Sequence, residues 1–134
     1  MALIHMTKRH LASLWLALPA VVVALADRAA TFFFQPAAYW TGVFEARNEI
    51  SPLGYRLLGI RPLVFSTFMA IYILIIIALV LFLKSPWNKV VALVAIVGHT
   101  EGIYGWLKDR SYWYAMPVFF LVGLMTILCW QKAE

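Results

Sequence analysis

"LVFSTFMAIYILIIIALVLFL", residues 63–83, is a run of 21 residues without a charged side chain. A helix that crosses the roughly 30 Å hydrocarbon layer of a bilayer needs about 20 predominantly apolar residues. A helix buried in a soluble core is usually shorter and keeps a polar stripe toward water. This run has no such stripe, so it reads as a transmembrane helix that faces lipid or a partner on every side. Three other stretches match it. Residues 111–130 are free of charge, 90–107 are interrupted by His99 and Glu101, and 11–34 by Asp27 and Arg28.

The connections complete the layout. Those at 84–89 and 108–110 are short, which makes the last three spans antiparallel neighbours. Residues 35–62 form a long connection expected on the membrane surface. Pro52, Gly54, Gly59 and Pro62 break it into short pieces, with an interfacial helix expected before Glu49. The expected fold is all-α: a four-helix transmembrane bundle in a single domain over residues 1–134, with both termini on one side. No internal repeat is present.

Composition agrees. The chain is 64% hydrophobic and 13% charged, whereas soluble domains carry about 25% charged residues. The net charge of +5 suits anionic lipid headgroups. The basic residues are scattered and no nucleic-acid-binding motif occurs, so nucleic acid is not an expected partner. Cys129 is the only cysteine, which excludes an internal disulfide and a cysteine-rich metal site. Lys8 and Arg9, the apolar run after them and the small-x-small triplet Ala24–Leu25–Ala26 resemble a signal peptide cleaved after Ala26. The apolar run resumes through residues 29–34, which favours an uncleaved first helix.

Orientation rests on less. With the N-terminus inside, the inner side holds Lys8, Arg9, Lys84, Lys89 and Lys132, and the outer side Arg28, Arg47, Arg56, Arg61, Lys108 and Arg110. Five against six gives no bias; the pair Lys8 and Arg9 beside the first span favours N-in, in a bacterial-type inner membrane. Trp15, Trp87 and Trp130 mark one interface. Tyr39, Trp40, Trp106, Tyr112, Trp113 and Tyr114 mark the other.

The polar residues within the spans carry the functional information. Ala20, Ala24, Asp27 and Thr31 recur at helical spacing on the first span, and Gly98, Gly102 and Gly105 on the third. Small stripes let membrane helices approach closely, so these two helices are expected to pack along them. His99 and Glu101 lie about 200° apart around a helix, on either side of the glycine stripe. A tight His-x-Glu chelate is therefore not expected, whereas a looser metal cage of Asp27, His99 and Glu101 closing around the seam stays open. Asp27, His99, Glu101 and the long connection with Arg47 and Glu49 share one side of the membrane, with Tyr104 close by on the third span. An ionised carboxylate in hydrocarbon is costly, so these groups are expected to be protonated, paired or wet, and to form a site. The bland alternatives are an Asp27–Arg28 pair at the headgroups and a neutral His99 hydrogen-bonded between helices.

"DRAAT", residues 27–31, and "NEISPLGYRLL", residues 48–58, resemble a family of small membrane proteins of unknown function. Its members carry Asp-x3-Thr late in the first helix and Glu-x-Asn-Pro-Leu before the second. Glu49, Pro52 and Leu53 match that pattern and Ser51 replaces the Asn; the resemblance implies a compact helical membrane fold and emphasises Asp27 and Glu49. "GHTEGIYG", residues 98–105, is more distantly similar to the emopamil-binding and sigma-2-receptor-like superfamily of sterol-binding membrane proteins. The second span here lacks the acid those proteins often place there.

Two function classes follow. One is a binding or accessory module that holds a lipid, another ligand or a metal ion at the polar site, alone, as a homo-oligomer or as a subunit of a larger membrane complex. The other is an intramembrane enzyme using a metal-bound water, or acid–base chemistry on a lipid-like substrate. No zincin, nucleophile-elbow or phosphate-loop motif is present.

Overall fold

A computed structural model describes residues 2–108 and 112–134, with side chains over 10–108 and 113–134. The described chain is helical, without strands. In order come α1 (Ala2–Phe33), α2 (Ala37–Trp40), a 3-10 turn (Phe44–Ala46), α3 (Pro52–Ile60), α4 (Pro62–Phe82), α5 (Trp87–Lys108) and α6 (Tyr112–Ala133). Four of these, α1 from His10 onward, α4, α5 and α6, are long and apolar enough to cross a membrane. The expected turn at 109–110 and the side chains of Lys8, Arg9 and Tyr112 lie outside the described residues.

Helix α1 is the hub. It packs most extensively on α5, then on α6 and α4, while α4 and α6 do not touch each other among the described residues. The section is thus a diamond, with α1 and α5 on its short diagonal. Contacts between α1 and α5 keep a nearly constant offset: Ala20 with Ala95 and Ile96, Asp27 with His99, Phe34 with Trp106. A constant offset means that the two helices run parallel. Pairs between α1 and α4 run oppositely, from His10 with Phe82 to Phe32 with Phe65. The core is built where sequence supplies small or branched residues at helical spacing: Leu16, Ala17, Val80 and Ala92 in one cluster, Ala20, Ala95 and Ile96 in the next.

The glycine stripe needs correction. The buried positions of α5 are Ala92, Ala95, Ile96, Thr100, Ile103 and Trp106, a stripe rotated away from Gly98. Gly98 is exposed, and a Cβ built on it meets nothing within 4 Å. Gly105 faces Ile50 of the long connection, whose Cδ1 would lie 3.2 Å from an added Cβ. Gly102 takes a close approach from α1, but from Asp27; Ala20 and Ala24 are buried as expected, with Ala20 against Ala95 and Ile96.

The long connection is more structured than its composition suggests. Its main helix lies after Glu49, not before it: Ser51 caps α3 by accepting from the Gly54 amide at 3.1 Å, and Pro52 sits at the first helical position. Both are strong start signals. Tyr39 is not an interfacial marker. It is fully buried with Leu58 and Phe65, and its hydroxyl donates to the Leu58 carbonyl at 3.2 Å. Trp106 is likewise buried and stacks on Phe34 at 5.8 Å between ring centroids. Trp40, Trp113 and Tyr114 remain exposed. The connection therefore has its own small core on the end of α1 and α4, and it roofs one end of the bundle.

Candidate functional site

Under that roof lies a cleft of about 520 Å³ bounded by α1, α4, α5 and residues 49–52. Asp27, Glu49, His99 and Glu101 all line it, together with Arg28 and Thr31. Its apolar walls are Phe65, Met69 and Tyr72 from α4, Trp106 from α5, and Ile50 and Pro52 from the connection. Gly98, Gly102 and Gly105 floor the α5 side. Gly98 leaves open space there, while Gly102 and Gly105 admit the Asp27 carboxylate and Ile50. Three of the chain's six acids line this one cleft.

Its centre is an Asp–His pair. Asp27 Oδ2 lies 2.8 Å from His99 Nδ1, and the two side chains are only 18% and 12% exposed. Pairing is the physical answer to a carboxylate at this depth, because an isolated charge there would be several kcal/mol less stable. Gly102 makes the pairing possible: a Cβ there would stand 2.5 Å from Asp27 Oδ1. In a neutral imidazole the carboxylate favours the proton on Nδ1, which leaves Nε2 as a hydrogen-bond acceptor. Nε2 is buried and has no hydrogen-bond partner among the described residues. The Tyr72 ring stands edge-on to the imidazole at 5.5 Å.

Glu49 is held from three sides. Thr31 Oγ1 donates to its Oε2 at 3.5 Å and the Ser51 amide to its Oε1 at 2.8 Å. The start of α3 adds the favourable end of a helix dipole. Gln35 latches the roof to α1: its amide nitrogen donates to the carbonyls of Thr31 and Asn48 at 2.9 and 2.7 Å, and its oxygen accepts from the Asn48 amide at 2.9 Å. Thr31 and Glu49, each half of the Asp-x3-Thr and Glu-x-x-Pro pattern, therefore meet in space. Glu101 stands at the exposed rim.

Two of the residues expected here are placed elsewhere. Arg47 does not line the cleft and does not pair with Glu49. Its guanidinium lies 3.8 Å over the Tyr55 ring, and Nη1 donates to the Phe44 carbonyl at 2.9 Å. Its charge opposes, without cancelling, the burial that raises the Tyr39 pKa above the ordinary tyrosine value. Tyr104 turns to α6, with its ring 5.7 Å from that of Phe119. Asp27, His99 and Glu101 do not close into a metal cage either: no group of three His, Cys, Asp or Glu side chains converges among the described residues. The 200° between His99 and Glu101 keeps them apart.

Tyr72 and Gln35 are the site residues that the sequence pattern concealed. A lone tyrosine in the middle of an otherwise apolar span was the available signal for the first. Gln35, directly after α1, carried none beyond its polarity. No protein-family profile, characterised protein or solved structure matches the chain.

Proposed function

We propose that the chain is an integral membrane ligand-binding module whose cleft holds an amphiphile with a hydrogen-bond-donating head. The observation that carries this reading is His99, which lines a cleft of about 520 Å³ while its buried Nε2 has no hydrogen-bond partner among the described residues. The volume suits a small organic ligand. The polar groups around it are dominated by acceptors: Nε2 and three carboxylates against the single cation Arg28. A hydroxyl or amine head would donate to Nε2, and an apolar body would lie along Phe65, Met69, Tyr72 and Trp106. The surrounding bilayer supplies such molecules directly. The exposed apolar surfaces of α4 and α6 suit lipid, a second copy or another membrane subunit. In this reading both termini lie on one side of the membrane, the N-terminus inside, and the roof segment sits at the opposite interface.

The Asp27–His99 pair also supports a second reading, an intramembrane acid–base enzyme. A carboxylate-oriented imidazole that lines a cleft is a competent proton acceptor for a bound hydroxyl that reaches its second nitrogen. The sequence resemblance to small membrane proteins with Asp-x3-Thr and Glu-x-Asn-Pro patterns emphasises Asp27 and Glu49 and brings no activity.

Native mass spectrometry of protein extracted in mild detergent tests the binding reading. The wild type is expected to carry a lipid-like adduct, distinct from bulk phospholipid, that His99→Ala loses while the helical spectrum is kept. A bare wild-type protein, or an adduct indifferent to His99→Ala, would overturn it.

A further inference from the structure

The other end of the bundle holds a second cleft, of about 420 Å³ and opposite character. Ser13 and Leu16 of α1 form its floor, and Ser13 is 6% exposed. Lys84 and Ser85 of the α4–α5 turn stand at its rim, and Asn88 and Lys89 of α5 form a wall. Glu134, 3.6 Å from Lys89, is the acid recorded nearby; its side chain is 75% exposed, so water screens the pair. The first amides of α5 are already engaged. Trp87 and Asn88 donate to the Lys84 carbonyl, Val90 to that of Pro86, and Lys89 to Asn88 Oδ1. An anion here is thus held by ammonium and hydroxyl groups, with the helix dipole only adding to them.

We infer that this cleft binds a phosphate group, of the kind an anionic phospholipid headgroup presents. Its depth supports the inference. The Lys132 ammonium lies 4.6 Å over the Trp15 ring and Trp87 is 65% exposed at the same end, which is the aromatic and basic pattern of a membrane–water interface. Phosphodiesters are the abundant anions at that depth, and two lysines at a cleft mouth attract them. The site is independent of the Asp27–His99 cleft.

The test uses the full chain in mild detergent, with phosphatidylglycerol or phosphatidylcholine added and retention read by native mass spectrometry. Phosphatidylglycerol should be retained in preference to phosphatidylcholine. The Lys84→Gln/Lys89→Gln variant should lower that retention on the order of tenfold, and Lys84→Arg/Lys89→Arg should restore it. Arg56→Gln/Arg61→Gln, which removes the same charge at the other end, should leave it unchanged. Millimolar inorganic phosphate separates the sources: displacement of the lipid assigns the site to free phosphate, and no displacement assigns it to a headgroup. Equal retention of the two lipids, or an equal loss in both charge-removing variants, would overturn the inference.

Discussion

Gly98 and Gly102 lie one turn apart on α5, yet only one of them governs the site. A Cβ at Gly102 would meet the Asp27 carboxylate at 2.5 Å, while one at Gly98 meets nothing within 4 Å. Asp27 is short and already committed to His99, so it cannot swing aside without leaving the imidazole. Gly102→Ala is therefore expected to cost about 1–3 kcal/mol by overpacking and to lower the melting temperature in detergent. Gly98→Ala should be neutral or slightly stabilising, since alanine is the better helix former. Equal melting curves for the two variants would contradict this assignment. The meeting of Asp27 and His99 was legible in the sequence because depth follows directly from position along a span. Rotation around the helix axis was not: with 100° per residue, a small error moved Gly98 from seam to open cleft. Only residue type points to Arg47 and Tyr104 in the sequence, and type does not say which neighbour a long side chain finds.

The roof segment shows how an element can be misjudged from composition. Tyr39 looks like any membrane-belt tyrosine in sequence, but it anchors the segment's core with Leu58 and Phe65. Its burial raises its pKa above the ordinary value near 10. The neutral hydroxyl is thus the form that the folded roof prefers. Stability from this group is fully present below about pH 10, the unfolded value, and is lost as pH rises through the higher folded value. An alkaline titration followed by tyrosinate absorbance should show one tyrosine ionising late, together with loosening of the roof. Tyr39→Phe should remove that late step and, by deleting the bond to the Leu58 carbonyl, cost about 1 kcal/mol at neutral pH. If the step lost in Tyr39→Phe lies in the ordinary tyrosine range instead of late, the side chain is solvated. The start of α3, by contrast, was readable: Ser51 followed by Pro52 is a helix-start signal that needs no tertiary information.

At the scale of the whole molecule, the four spans follow from length and hydropathy alone, because the bilayer fixes both. Their order around the diamond does not, since α4 and α6 are apolar on all sides and advertise no preferred neighbour. The two clefts differ in charge, acids lining the one under the roof and lysines the one at the far end, and the layout predicts opposite accessibility. With Cys129 replaced by Ala, single cysteines at Ser85 and at Ile50 should react with a membrane-impermeant thiol reagent from opposite sides of sealed vesicles. Labelling of both from one side would break the four-span layout.

The Asp27–His99 contact joins positions 72 residues apart, and that separation matters during synthesis. Helix α1 leaves the ribosome first and reaches the membrane with Asp27 in it. At that moment α5, the helix on which it packs most extensively, has not been translated. An aspartate opposes partition of an inserting helix into lipid, by about 2.5–3.5 kcal/mol at the helix centre and less toward its end, and within α1 the adjacent Arg28 is the group at hand to offset it. The nascent first helix therefore has reason to linger in the insertion machinery, or at the headgroups beside Arg28, until His99 emerges. On this view the bundle is closed late, from its C-terminal half, and α1, made before α5, is among the last helices to settle.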